Sequence, residues 1–203
     1  GLDALATNIT GADNTALGYG ALNDNLTSGN TAVGKESQRV TTTGASNTSM
    51  GKHSMYANTT GANNVAVGND ALSSNTTASR STGLGTLSLN SNTTGDGNVA
   101  VGYKALLGCT EGQGNIALGI DAGDTTTTGD FNIFIGPNTS GAAVGNNQEI
   151  VIGTTGNNTV GGKGANTGFI QPNGGAMYQG SNGTAWTATS DRRIKKNIVN
   201  NNT

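Results

Sequence analysis

The sequence contains few of the residues that stabilise most small folded domains. Its 203 residues include one cysteine, two prolines and only 4% aromatic side chains, and 11% of the residues are charged. The single cysteine, Cys109, cannot form a disulfide within one chain. The formal net charge of −2 offers no electrostatic basis for binding nucleic acid or an anionic membrane. We therefore expect no nucleic-acid partner and no oxidative cross-link within the chain.

Long hydrophobic runs are also missing. No stretch approaches the roughly 20 apolar residues that a membrane-spanning helix requires. Gly1 is not followed by the charged and then hydrophobic regions of a signal peptide. We therefore expect no membrane insertion by this part of the protein, and we interpret the chain as a fragment of a longer one.

What the sequence does contain is a periodic glycine. These marker glycines are separated by 16 residues once and then by 17 residues seven times: Gly18, Gly34, Gly51, Gly68, Gly85, Gly102, Gly119, Gly136 and Gly153. Each follows a short phrase such as Asn-Val-Ala-Val before Gly102. The repeat places sparse apolar residues in continuous columns, so it predicts a stacked-repeat fold where composition alone would indicate disorder.

Side-chain alternation within each repeat predicts a short strand before each marker glycine. The residues one and three positions before the glycine, such as Val67 and Val65, are apolar or β-branched, and we expect them to face inward. The residue between them, such as Ala66, is small, which indicates a close backbone on the opposite face. Pairs such as Ala71-Leu72 predict a second strand, and Asn/Thr/Gly runs predict turns.

About four or five apolar side chains per repeat are too few to offset the ordering of a whole coil of backbone. We therefore expect a homo-oligomer that buries a second face, for which the small column is a candidate. A monomeric solenoid with a polar outer wall is the alternative.

The repeats from Asn14–Gly18 to Asn115–Gly119 resemble the head repeats of trimeric autotransporter adhesins over about residues 11–153. The 17-residue spacing is longer than that family's usual repeat. The resemblance implies an all-β fold, a left-handed parallel β-roll or β-solenoid in an intertwined homotrimer. We assign residues 1–153 to this region, 154–189 to a small β-rich tip and 190–203 to a remnant of a further junction.

The segment 186–198 resembles the junction between a phage tail fibre or tailspike and an intramolecular chaperone of the endosialidase type. In that family a Ser-Asp bond is cut by the chaperone after the trimer assembles. The resemblance implies that Ser190 is the nucleophile and that the Ser190–Asp191 bond is cut. A lysine such as Lys195 can act as the base when a dry site lowers its pKa. We expect an inactive remnant here, and a basic solvated tail is the alternative.

The aromatic residues of the tip are the candidate ligand contacts, because aromatic faces stack on sugar rings. They are Phe169, Tyr178 and Trp186. A role in the core of the tip is the alternative for all three.

Tyr19 and Tyr103 are expected on the outer wall, His53 in a turn rather than in a metal site, and Cys109 as a small space-filling residue.

The two resemblances together imply an extracellular trimeric fibre, carried on a bacterial surface or a virion, that adheres to a glycan or another envelope component. We expect no cofactor, no metal and no turnover. A tailspike that cleaves a polysaccharide is one alternative, although the acidic residues form no evident pair of the kind that glycoside hydrolysis uses. A structural spacer is another alternative. Threonine pairs such as Thr59-Thr60, which recur in register, make an ice-binding solenoid a third.

Overall fold

The computed structural model describes residues 1–154 and 160–172, together with the backbone of two further strands at 176–179 and 187–189. The described chain is all-β and forms a β-solenoid of about nine turns. This confirms the predicted fold class at the level of a parallel β-solenoid. Across the described residues no helix is long and apolar enough to cross a membrane.

Each coil of the solenoid contributes one short strand, which ends just before its marker glycine in the first eight coils. These strands are β1 (Thr15–Leu17), β2 (Thr31–Val33), β3 (Thr48–Met50), β4 (Val65–Val67), β5 (Thr82–Leu84), β6 (Val99–Val101), β7 (Ile116–Leu118) and β8 (Ile133–Ile135). The later strands are β9 (Thr139–Ser140), β10 (Ile150–Gly153), β11 (Val160–Gly161), β12 (Gly168–Gln171), β13 (Ala176–Gln179) and β14 (Thr187–Thr189). The 17-residue period therefore places β2 to β8 in equivalent positions.

One parallel sheet runs along the solenoid. Strands β1 to β8 pair in sequence order, and β10 and then β12 continue the parallel pairing. The sheet thus extends beyond the last marker glycine at residue 153. Strands β13 and β14 then add to it in antiparallel orientation, while β9 and β11 form a separate two-stranded sheet.

The marker glycines are required by both conformation and space. Gly34 has a φ of +135°, a region that L side chains rarely adopt, and a Cβ atom added there would collide with the carbonyl oxygen of Gly51. The other marker glycines from Gly18 to Gly136 share this positive φ. Neighbouring coils therefore approach too closely at the glycine column to admit a side chain.

The small column faces the interior, and the β-branched columns face outward, so the predicted inward stripe is wrong. Ala66, Ala100 and Ala117 are fully buried, whereas Val65 and Val67 on either side of Ala66 are only half-buried. The reason is the thinness of the solenoid. A Cβ atom added at Gly83, in the same column, would lie 2.9 Å from Ser88 Oγ and already be in contact with Cδ1 of Leu72 at 3.5 Å. A larger side chain fits this column only where the opposing residue is smaller.

After the marker glycines Gly18 to Gly119 the chain forms turns rather than the predicted second strand, whereas β9 occupies the equivalent position after Gly136. In these turns Leu72 and Leu106 have φ near +51°, in the left-handed region, and their side chains are fully buried. Backbone bonds still join the coils, since the Leu72 N–H donates to the Ser88 carbonyl at 3.0 Å. Turns therefore supply the second wall of the core, and their leucines pack against the small column.

A buried column of asparagines, four positions before the marker glycines, joins successive coils. Its amide oxygens accept from the backbone of the next coil, as in Ser81 N–H to Asn64 Oδ1 at 2.8 Å. The side-chain nitrogen of Asn64 donates to the Ala78 carbonyl at 2.8 Å. Most members are asparagine, with Ser81 and Glu149 as exceptions: Asn14, Asn30, Asn47, Asn64, Asn98, Asn115 and Asn132. This ladder satisfies polar backbone that a thin core would leave unpaired.

Candidate functional site

The outward columns of the sheet form a continuous face, which we call the outer face. It consists of the residues three and one positions before each marker glycine: Thr15, Leu17, Thr31, Val33, Thr48, Met50, Val65, Val67, Thr82, Leu84, Val99, Val101, Ile116, Leu118, Ile133, Ile135, Ile150 and Ile152. None of these residues is charged, and all are half-buried or exposed. With strands about 4.8 Å apart, the face is about 38 Å long.

The outer face becomes more apolar toward its C-terminal end. Its first three coils carry threonine in one column, whereas the last three carry isoleucine. Large apolar side chains are exposed in these coils, since Ile120 is 55% exposed, Phe131 is 56% exposed and Leu118 is 38% exposed. A contiguous apolar surface of this kind is typical of a contact site for another protein.

A second surface feature is a polar groove of about 440 Å³ among the turns. At its base, His53 lies between two carboxylates from the preceding and following coils. Its Nε2 is 2.9 Å from Glu36 Oε2, and its Nδ1 is 3.3 Å from Asp70 Oδ1. Tyr56 packs its ring edge-to-face against His53, with 5.5 Å between the ring centroids. Ser73 and Ser74 complete the polar lining.

The groove residues were not combined into a site in the sequence analysis, although His53 was correctly predicted to lie in a turn. Glu36, His53 and Asp70 are successive members of one 17-residue column, so placing the column in register would have brought them together. Within the described part of the chain, no group of three or more His, Cys, Asp or Glu residues could hold a metal ion.

The threonine pairs divide into two different roles. The first threonine of each pair donates its hydroxyl to the backbone of the next coil, as in Thr59 Oγ1 to the Thr76 carbonyl at 2.9 Å. The second, such as Thr60 or Thr77, is exposed in the turns. Each pair thus presents one exposed threonine per coil, at a turn. The exposed threonines therefore do not form the flat two-column array on which the ice-binding alternative depends.

The predicted site residues of the tip lie only partly within the described chain. Phe169 is 3% exposed and belongs to the core cluster, with Lys163 Nζ 4.6 Å from its ring centroid. Its burial assigns this ring to the core, the alternative that the sequence left open. Tyr178 has a described backbone in β13, opposite Phe169. The side chain of Tyr178, and the whole of Trp186, Ser190, Asp191 and Lys195, lie outside the described residues.

Other residues singled out in the sequence have defined environments. Cys109 is fully buried, as expected for a space-filling residue, and burial raises the pKa of its thiol to about 12. Tyr19 and Tyr103 are exposed, as predicted, and each lies beneath a lysine. Burial raises the pKa of Asp124, and the neighbouring carboxylate of Asp121 raises it further.

The described chain thus offers two surfaces of different chemistry, an uncharged apolar sheet face and a polar groove formed by turns. Comparison of the chain with models of protein families, with curated proteins and with solved structures finds no match.

Proposed function

We propose that this chain is a segment of an extracellular homotrimeric fibre, on a bacterial surface or a virion, that adheres to a glycan or another envelope component. The observation that carries the proposal is the outer face. The 18 residues in its two columns are all uncharged, and they remain accessible in the single chain. Charged residues are depleted from the centres of protein interfaces in the same way.

The partner that best fits the outer face is a second copy of the same chain. Its columns repeat at the spacing of the strands, so another copy presents apolar residues at the same spacing along its whole length. Both faces would also become more apolar toward the same end, which favours copies that lie parallel and in register. The resemblance to trimeric adhesin heads favours three copies, and it is the basis for the left-handed, intertwined arrangement that we include in the proposal.

Three identical chains also favour adhesion over catalysis. Linked copies of a weak binding site hold a surface through effective concentration, without any one strong contact. No turnover and no cofactor form part of the proposal. One-time cleavage between Ser190 and Asp191, assisted by Lys195, would occur only in the longer chain that carries the chaperone.

The test of assembly is the native mass of the purified chain, measured with charged variants of the outer face. Leu118→Lys combined with Ile135→Lys would place two cations on the most apolar part of the face, and each desolvated charge is costly. Thr77→Lys combined with Thr94→Lys is the matched control, since both threonines are exposed in turns. We expect three chains per particle for the wild type and control, and dissociation of the outer-face variant.

A monomeric wild type at micromolar concentration would contradict the proposed fibre. Adhesion is tested separately by incubating the assembled chain with candidate surface polysaccharides. Retained, unshortened chains support adhesion, shortened chains indicate a depolymerase, and no retention indicates a structural spacer.

A further inference from the structure

We propose that the groove around His53 is a binding site for a neutral pyranose unit of a surface saccharide. The inference rests on the proposed adhesive function and places ligand recognition on the side of the solenoid instead of on the tip aromatics. Its volume of about 440 Å³ lies within the range of small-molecule sites, which is roughly 300–1,000 Å³.

The groove exists because side chains of different size follow one another in the same columns. Tyr56 is a large residue, and the equivalent position one coil later holds the much smaller Ser73. The adjacent column holds Ser74, also small. The Tyr56 ring therefore stands above two short hydroxyl side chains, which leaves a concavity between coils that an unbroken column of similar residues would fill.

The hydroxyl groups of the groove retain protons that can be donated to a ligand. Tyr56 Oη accepts from Arg39 Nη1 at 3.0 Å, and Ser73 Oγ accepts from Asn90 Nδ2 at 2.8 Å. Each oxygen is thus engaged as an acceptor, and its own hydrogen is available. Glu36 Oε2 accepts from His53, and carboxylate oxygens can accept more than one bond. The site therefore combines donors and acceptors, as the hydroxyls of a sugar require.

Each carboxylate of the groove already has a nitrogen partner within the chain, which favours a neutral ligand over an ion. Both ring nitrogens of His53 face carboxylate oxygens, Nε2 that of Glu36 and Nδ1 that of Asp70. Arg39 Nη1 lies 3.8 Å from Glu36 Oε1. A saccharide without charge then gains hydrogen bonds without displacing an ion pair.

The groove is separate from the outer face. Its lining comes from the turn segments that follow Gly34, Gly51 and Gly68, and none of its residues lies in a strand. Assembly through the strands therefore does not require these residues. An assembled fibre would carry one copy of the groove on each chain, which suits recognition of a repeated polysaccharide.

The proposal is tested on the intact chain by saturation-transfer NMR with methyl pyranosides of glucose, galactose and mannose. A methyl glucuronide and glucosamine serve as anionic and cationic comparison probes. Ser74→Tyr fills the groove, and Ser91→Tyr is its control at the equivalent position one coil later. Tyr56→Phe removes one hydroxyl, and Tyr103→Phe is its control. Thermal unfolding verifies that each variant is folded.

We expect at least one neutral pyranoside to bind, Ser74→Tyr to abolish binding, and Tyr56→Phe to weaken it by about 2- to 12-fold. Both control variants should bind as the wild type does. Binding of the charged probes only, binding that survives in Ser74→Tyr, or no binding of any neutral pyranoside would each overturn the proposal. The native mass is measured on the same samples. A monomer that binds would contradict the fibre and leave the groove site standing, whereas a trimer that does not bind would overturn the groove alone.

Discussion

Exchanging the sizes of two core residues tests how the thin interior is packed. The turn leucines and the small column meet eleven residues apart, as Leu106 does with Ala117. One coil later the sizes are reversed, with Gly123 opposite the fully buried Phe134. A Cβ atom added at Gly123 would lie 2.6 Å from Cδ2 of Phe134. Each residue of this pair therefore sets the size that the other can have.

Phe134→Ala alone should lower the free energy of unfolding by about 3–5 kcal/mol, because it leaves a cavity beside glycine. Gly123→Leu alone overpacks the same space, at about 1–3 kcal/mol, and adds about 1–2 kcal/mol for a left-handed residue that is not glycine. The double variant restores the leucine–alanine arrangement of the preceding coil. Its leucine would adopt the backbone region that Leu106 already occupies at φ +51°.

We therefore expect the double variant to be at least about 2 kcal/mol more stable than the sum of the two single changes predicts. Urea unfolding at one fixed protein concentration measures all four proteins, since assembly would otherwise contribute to the result. Additive effects, or a double variant less stable than both single variants, would refute complementary packing between these positions.

Further predictions concern three other positions, Cys109, Asp124 and Asn64. Cys109→Asn should keep or raise stability by up to about 1 kcal/mol in thermal unfolding, because an amide there can donate to the buried, unpaired Oδ1 of Asn92. The native Cys109 thiol should resist alkylation at pH 8 and react only in denaturant, since its pKa is about 12. Asp124→Asn should stabilise the protein at pH 7, because burial raises the carboxyl pKa and so disfavours the charged form; in urea unfolding the gain should vanish below the ordinary aspartate pKa of 3.8. Asn64→Ala should cost about 2–6 kcal/mol in the same assay, because it leaves two buried backbone groups unpaired, and Asn64→Ser should cost less, as Ser81 occupies this column naturally.

The repeat allowed the strands to be placed from the sequence, because the glycine column marks where they end. The orientation of the strands could not be obtained in the same way. Alternation tells which residues share a face, as Val65 and Val67 do, without telling which face is inward. Hydrophobicity favoured the valines, whereas the space opposite Leu72 admits only a small residue. The thickness of the solenoid depends on how its two walls pack together. It therefore cannot be inferred from the sequence of one strand.

The groove was missed for a related reason. His53 was considered as an isolated residue in a turn, and its partners Glu36 and Asp70 are each 17 positions away. Hydrophobic columns were aligned in register, but polar turn positions were not. In a stacked fold, every column carries information on contacts, including columns without apolar residues. The homotrimer, Tyr178 and Trp186 as ligand contacts, and the cleavage junction stay predictions.

Because each coil pairs with the coils next to it, the solenoid can be lengthened or shortened by whole coils. Excising residues 65–81 would join Asn64 to Thr82 and restore the same order of columns, so the solenoid would shorten by about 4.8 Å with its ladders intact. The protein already omits one residue between Gly18 and Gly34, where β1 and β2 still pair. Duplication or loss of seventeen codons could therefore set the length of the solenoid, leaving the outer face of each remaining coil chemically unchanged.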